Sequence, residues 1–292
     1  TGDGNTAIGY FSLSTTTTAD NNTAVGVDSL GINSTGANNT AIGKDALRAN
    51  TTASNNTAVG SSALVANTTG TANVAVGSLA GDALTTGHYN TVMGHGSLSA
   101  DTKGTRSVAI GMQALAVQNF TSETSVYNTA VGFQAGTAVT TGIENTLIGA
   151  LAGDALTDAD ENTAVGLGAL SADTLGSKTT AIGRGALLSQ NFTTATDTYN
   201  TAVGYFAGLA VTTGLYNTLI GGLAGDAITT GDHNVTLGVS ALTSNTAANK
   251  NVAIGSNSLS VFNVTSDTDT YNTAVGYGAG QQVTTGVNNT FV

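Results

Sequence analysis

The chain has 292 residues, of which 9% are charged and 5% aromatic; it has no proline and no cysteine, and 7 Lys and Arg against 18 Asp and Glu give a formal net charge of -11. So few cations exclude a nucleic-acid backbone or an anionic membrane as partner, since both need clustered positive charge. No run approaches the roughly 18 apolar residues of a membrane span, and the lack of cysteine leaves the redox compartment open.

The N-terminus, Thr1-Gly2-Asp3-Gly4-Asn5, starts in mid-repeat without a leader pattern and reads as an excerpt of a longer chain. From there one phrase governs the sequence. Asn22-Thr23-Ala24-Val25-Gly26 returns, lightly varied, with its glycine at positions 9, 26, 43, 60 and so on to 276, in 17-residue steps interrupted by three 21-residue steps. A period this strict predicts stacked coils, each burying its apolar side against its neighbours. The fold class expected is all-β, a parallel β-solenoid of 17-residue coils. It forms a single continuous domain over 1–292 with about 17 coils and four-residue inserts in the coils starting near 111, 183 and 255. At about 4.8 Å per stacked strand this gives a rod of roughly 80 Å.

Within each coil, the short run Thr-Ala-Val predicts a strand and the following glycine a corner. The residue before the glycine is aliphatic in all seventeen copies, from Ile8 to Val292, and is expected to fill the coil. Its predecessor, Ala in twelve copies, points to the other face and is expected to form a seam against further chains. Four residues after the glycine stands Leu in ten coils and Gly in six; the six Gly coils carry an aliphatic three residues later, as in Gly81 with Leu84 and Gly153 with Leu156. That trade implies a coil interior with fixed room for one such group on a second strand. Asn opens fifteen of the phrases and, stacked in register, predicts a ladder of amide hydrogen bonds.

The 21-residue steps begin at Gly111, Gly183 and Gly255, always four coils apart, so four coils make one super-repeat. Their inserts should protrude from one edge. They gather Phe120, Glu123 and Tyr127, then Phe192, Asp197 and Tyr199, then Asp267, Asp269 and Tyr271, on a chain otherwise poor in aromatics. Aromatic beside acid is a common way to hold a sugar or a protein loop, so these nine are the candidate surface-contact residues. Tyr89 and Tyr216 also precede a phrase without any insert, which equally suits a tyrosine that clamps the turn.

Read with its flanks, Ser107-Val108-Ala109-Ile110-Gly111 resembles the head repeat of trimeric autotransporter adhesins, as does Asn251-Val252-Ala253-Ile254-Gly255. The pattern Asn-Thr-Ala-Val-Gly-x-x-Ala-Leu also resembles phage tail fibre repeats. The resemblance implies a left-handed β-roll, a side-by-side homotrimer, and an extracellular, cell-surface or virion location. The repeat here is longer than the adhesin head repeat.

For chemistry the sequence offers little. His88, His95 and His233 stand on separate coils, Asp82, Asp154 and Asp226 each occupy a turn alone, and no lysine or helix follows the glycines as a phosphate loop requires. The expectation is therefore no enzyme, no metal and no cofactor. The reading is a structural and adhesive fibre segment, a stiff rod presenting turns and loops to a host or environmental surface glycan or protein. The alternatives are an ice-binding solenoid with flat Thr rows, a filament that self-assembles end to end, and a polysaccharide-cleaving solenoid, which would want clustered acids.

Overall fold

The computed structural model describes residues 2–292, which divide into a first unit ending at Asn145 and a second beginning at Thr146. Each is an all-β parallel solenoid without helix among the described residues. In the first unit eight phrase strands, from Thr6–Ile8 to Thr129–Val131, pair in parallel and in strict register, so that Thr23 faces Thr40 and Ala24 faces Ala41. In the second, nine strands from Thr146–Ile148 to Thr290–Phe291 do the same. The expected coil period is thus met strand for strand.

The face assignment of the phrase is reversed. Ala24, Ala41, Ala58, Ala75, Ala109 and Ala130 are fully buried, as are Ala164, Ala181, Ala202, Ala253 and Ala274. The aliphatic beside them points outward: Ile42 is 40% exposed, Met93 41% and Leu237 47%. Alternation along a strand fixes which residues share a face but not which face is inside. Here the inside is narrow. The second side of each coil sends in a Leu, such as Leu30 or Leu47, and opposite it there is room only for a methyl group. Where the strand residue is Leu or Phe, a glycine makes room for it: a Cβ on Gly153 would lie 2.7 Å from Leu147, and one on Gly280 would lie 2.8 Å from Phe291. The Leu-for-Gly trade is observed as expected, with Leu84, Leu156, Val211 and Ile228 fully buried in Gly coils.

That second side is not an extended strand as expected. It is a run of turns in which alternate residues, Asp28 and Leu30 for example, have φ of 57° and 47°. Leucine seldom adopts such angles, yet here they let successive N–H groups point to opposite neighbours. Asp28 N–H donates to Tyr10 on the coil before, and Leu30 N–H to Ala46 on the coil after. The ladder continues through compact backbone, and every coil keeps its partners.

Asparagine forms the ladder foreseen, in a more economical way. The Asn22 Oδ1 accepts from Asn39 N–H at 2.9 Å, while its Nδ2 donates to the Gly36 carbonyl at 2.9 Å, closing its own coil. The same pair of bonds recurs at Asn39 and Asn56. A second internal ladder, unforeseen, links Asn33, Asn50 and Asn67 by amide–amide bonds of 2.9 and 3.1 Å. It stops where Leu84 follows, leaving Asn67 Oδ1 without a partner.

Candidate functional site

The inserts do form local structure. In the first unit Gly104–Thr105 pairs with Thr124–Ser125; in the second Gly176–Ser177 pairs with Thr196–Asp197, and Ala248–Asn249 with Thr268–Asp269. Two of the nine candidate residues are not available for contact. Phe120 and Phe192 are only 8% and 7% exposed. Each is drawn in by its own backbone, because Phe120 N–H donates to the fully buried Asp101 Oδ1 at 3.1 Å and Phe192 N–H to Asp173 Oδ1 at 3.0 Å. An aromatic beside an acid in sequence looked like a protruding pair; the carboxylate that fixes it lies on the preceding coil.

The other candidates lie outside. Tyr127, Tyr199 and Tyr271 are about half exposed, and each occupies the position just before a phrase Asn, with φ near 50°. That position forms a column whose members the sequence placed but did not connect. In the second unit Lys178 lies over the Tyr199 ring at 5.6 Å, Tyr199 stacks on Tyr216 at 5.7 Å and 11°, Tyr216 stacks on His233 at 4.7 Å, and Lys250 lies over Tyr271 at 5.3 Å. In the first unit Arg106 lies 5.5 Å from the Tyr89 ring and 5.8 Å from Tyr127. Such cation–π contacts at exposed sites are worth about 0.5–1 kcal/mol each.

Acids complete the column. Lys178 pairs with Asp197, to which the Tyr199 hydroxyl also donates at 3.3 Å; Lys250 pairs with Asp269, to which Tyr271 donates at 3.0 Å. The Lys178 ammonium holds the Asp197 carboxyl below the usual carboxylate range, and that hydrogen bond in turn raises Lys178. Lys250 does the same to Asp269, helped by Tyr271. Asp267 accepts from Asn249 Nδ2 at 2.6 Å. In the first unit Arg106 instead donates to Ser125 at 2.6 Å, and Glu123 reaches His88 at 3.7 Å.

This edge is suited to some chemistry and unsuited to other. Tyr199 has a neighbour against its ring on each adjacent coil, so the open face that a sugar would stack on is covered. At Tyr199 the hydroxyl, the ring edges and the ion-paired Asp197 remain, which favours recognition there by hydrogen bonds. Among the described residues no group of three or more His, Asp or Glu is placed to hold a metal ion. Among the described residues no helix is long and apolar enough to cross a membrane.

Asp82 and Asp154 stand apart. Burial pushes both carboxyls up from the ordinary value, and Oδ1 of each has no partner, whereas the equivalent Asp226 accepts from Thr243 Oγ1. Ser99 and Ser171 occupy the positions corresponding to Thr243. No protein-family model and no curated protein sequence matches the chain.

Proposed function

We propose that this chain is a structural and adhesive segment of an extracellular or virion-borne fibre, in which copies associate side by side as a homotrimer. The observation that carries the reading is the outward face of the phrase strands. It presents a Thr or Val column beside an aliphatic column, in register and without one charged residue, on a chain of net charge -11. Parallel sheets are as a rule covered on both faces, and an uncharged apolar strip on a protein surface marks an interaction site. A second copy of the chain supplies a matching strip. The seam expected at the buried Ala row is thereby moved to the opposite face of the same strand.

Adhesion rests on repetition. A tyrosine with a cation one coil before it recurs at the inserts every four coils, at Tyr127, Tyr199 and Tyr271, so weak contacts to a repeated surface glycan or protein would add through avidity. Sedimentation equilibrium tests the assembly: wild type is expected at three times the chain mass, and Ile42→Lys with Val59→Lys at a lower mass with the β signal retained. A folded wild-type monomer would overturn it.

The outward threonines favour a second reading, ice binding. Thr6, Thr23, Thr40 and Thr57 form one in-register column on the open side of the strand, which the expectation of an inward aliphatic had discounted. Alternate outward residues of a strand lie about 6.6 Å apart and stacked strands about 4.8 Å, a regular grid of methyl and hydroxyl groups. The readings compete for one face, which is either buried or wet. A monomer showing thermal hysteresis establishes the second and excludes the first.

A further inference from the structure

In the second unit an open hollow of about 250 Å³ departs from the repeat. Its walls are Leu151, Leu167, Leu188 and Phe206. Gly168, Gly185 and Arg184 complete its lining. The unit's lysines, Lys178 and Lys250, both pair with carboxylates; Arg184 pairs with none and lies over the rings of Tyr205 and Phe206 at 5.9 and 5.6 Å.

The first unit supplies an internal comparison, because the same positions recur one super-repeat earlier. There His95, Met112, Gln113 and Gln134 stand in place of Leu167, Arg184, Gly185 and Phe206. The backbone is alike, with φ of 58° at Gln113 against 62° at Gly185, and 54° at Gln134 against 53° at Phe206. Side chains make the difference. Gln134 Nε2 donates to Gln113 Oε1 at 2.8 Å and the two amides occupy the place, while in the second unit the Phe206 ring lies against Gly185, where a Cβ would come within 2.4 Å of it, and the hollow beside the ring is lined by leucines. One super-repeat later the positions of Gly168, Arg184 and Gly185 hold Ser240, Ser256 and Asn257, so only the middle block is both apolar and cationic.

We infer that this hollow is a binding site for a small amphiphilic carboxylate, its short alkyl or aryl body among the leucines and Phe206 and its carboxylate on Arg184. The argument is one of charge and size. An unpaired guanidinium on an acidic chain is the one group there that would gain a charge-assisted bond from an anion, and the volume lies below the range of about 300–1,000 Å³ typical of drug-sized ligands. The site is independent of whether the chain assembles into a fibre.

Octanoate is the probe, with octan-1-ol and octylammonium as head-group controls, titrated into the full chain by calorimetry. Octanoate is expected to bind more tightly than either control. Arg184→Gln should weaken it at least tenfold, and Gly185→Gln together with Phe206→Gln, which installs the amide pair found at 113 and 134, should abolish it while circular dichroism and the assembly mass stay unchanged. No octanoate binding at millimolar concentration, equal binding of the three head groups, or affinity indifferent to both substitutions would each overturn the inference. A change of assembly mass in the Gly185→Gln, Phe206→Gln double variant would do so too, by showing that another copy fills the hollow.

Discussion

Gln118 bridges the gap that Ser107 leaves in the asparagine ladder. Ser107 stands where a phrase Asn is expected; Gln118 Nε2 donates to its Oγ at 3.0 Å, and Gln118 Oε1 accepts from Asn128 Nδ2 at 2.9 Å. The next super-repeat repeats the device with Gln190 between Thr179 and Asn200, at 3.1 and 2.9 Å. In the third, Asn251 restores the ladder and the Gln position becomes the buried Phe262. Gln118→Ala leaves Asp101 Oδ2 and Asn128 Nδ2 each one partner short, and is expected to destabilise by about 3 kcal/mol. Replacing that substitution by Asp101→Asn, Ser107→Asn and Gln118→Phe together, the set found at 245, 251 and 262, should recover part of the loss in the denaturation midpoint.

Leu147 and Gly153 share one volume. Gly153→Ala places a methyl against Leu147 and puts a side chain at φ 55°, which should cost about 3 kcal/mol. With Leu147→Ala the two substitutions should couple by about 1–3 kcal/mol, the double variant being more stable than the sum of the single losses. Additive losses in a double-mutant cycle by urea unfolding would contradict a shared interior.

The first insert separates a structural residue from a surface one. Phe120→Ala, at 8% exposure, is expected to cost about 3 kcal/mol, and Glu123→Ala to change stability by less than about 0.5 kcal/mol. Hydrogen exchange of the Thr124–Ser125 ladder gives the local readout: faster exchange in the first variant, unchanged in the second.

Acid should stabilise the turns at Asp82 and Asp154. Burial raises both carboxyls in the folded chain above the ordinary 3.8, so the folded state binds their protons more tightly than the unfolded one. Their contribution is fully present below that value and is lost as pH rises through the folded value. Asp82→Asn and Asp154→Asn are therefore expected to raise the melting temperature at pH 7 and to leave it nearly unchanged at pH 3. Asp197 and Asp269, held low by Lys178 and Lys250, contribute in the opposite sense: their part is present above the ordinary value and lost as pH falls. In Lys178→Gln the Asp197 carboxyl should titrate higher by carbon NMR.

The period, the Asn ladder and the Leu-for-Gly trade were legible in the sequence because each repeats with the coil. Which face of the strand is inside was not. Ala24 and Val25 alternate correctly, but alternation has no sign; the sign came from the width left by Leu30 and Leu47 on the opposite side. Nor do propensities reveal a leucine at φ 47°, a conformation that only the neighbouring coils make favourable. At the edge, the exposure of Tyr199 was legible, but its two covered ring faces depend on Lys178 and Tyr216 one coil away on either side. Phe120 looked exposed until Asp101 was in place beside it.

The direction of the inter-coil bonds has a mechanical consequence. Within each unit they run from one coil to the next, so tension that draws adjacent coils apart loads them a few at a time, as in opening a zipper, and not all at once as in sliding two sheets. Each 17-residue coil that lets go would lengthen the tether by about 60 Å, and each 21-residue coil by about 70 Å. A segment of this kind would yield in small steps under load, and one step in four would be visibly longer than the rest.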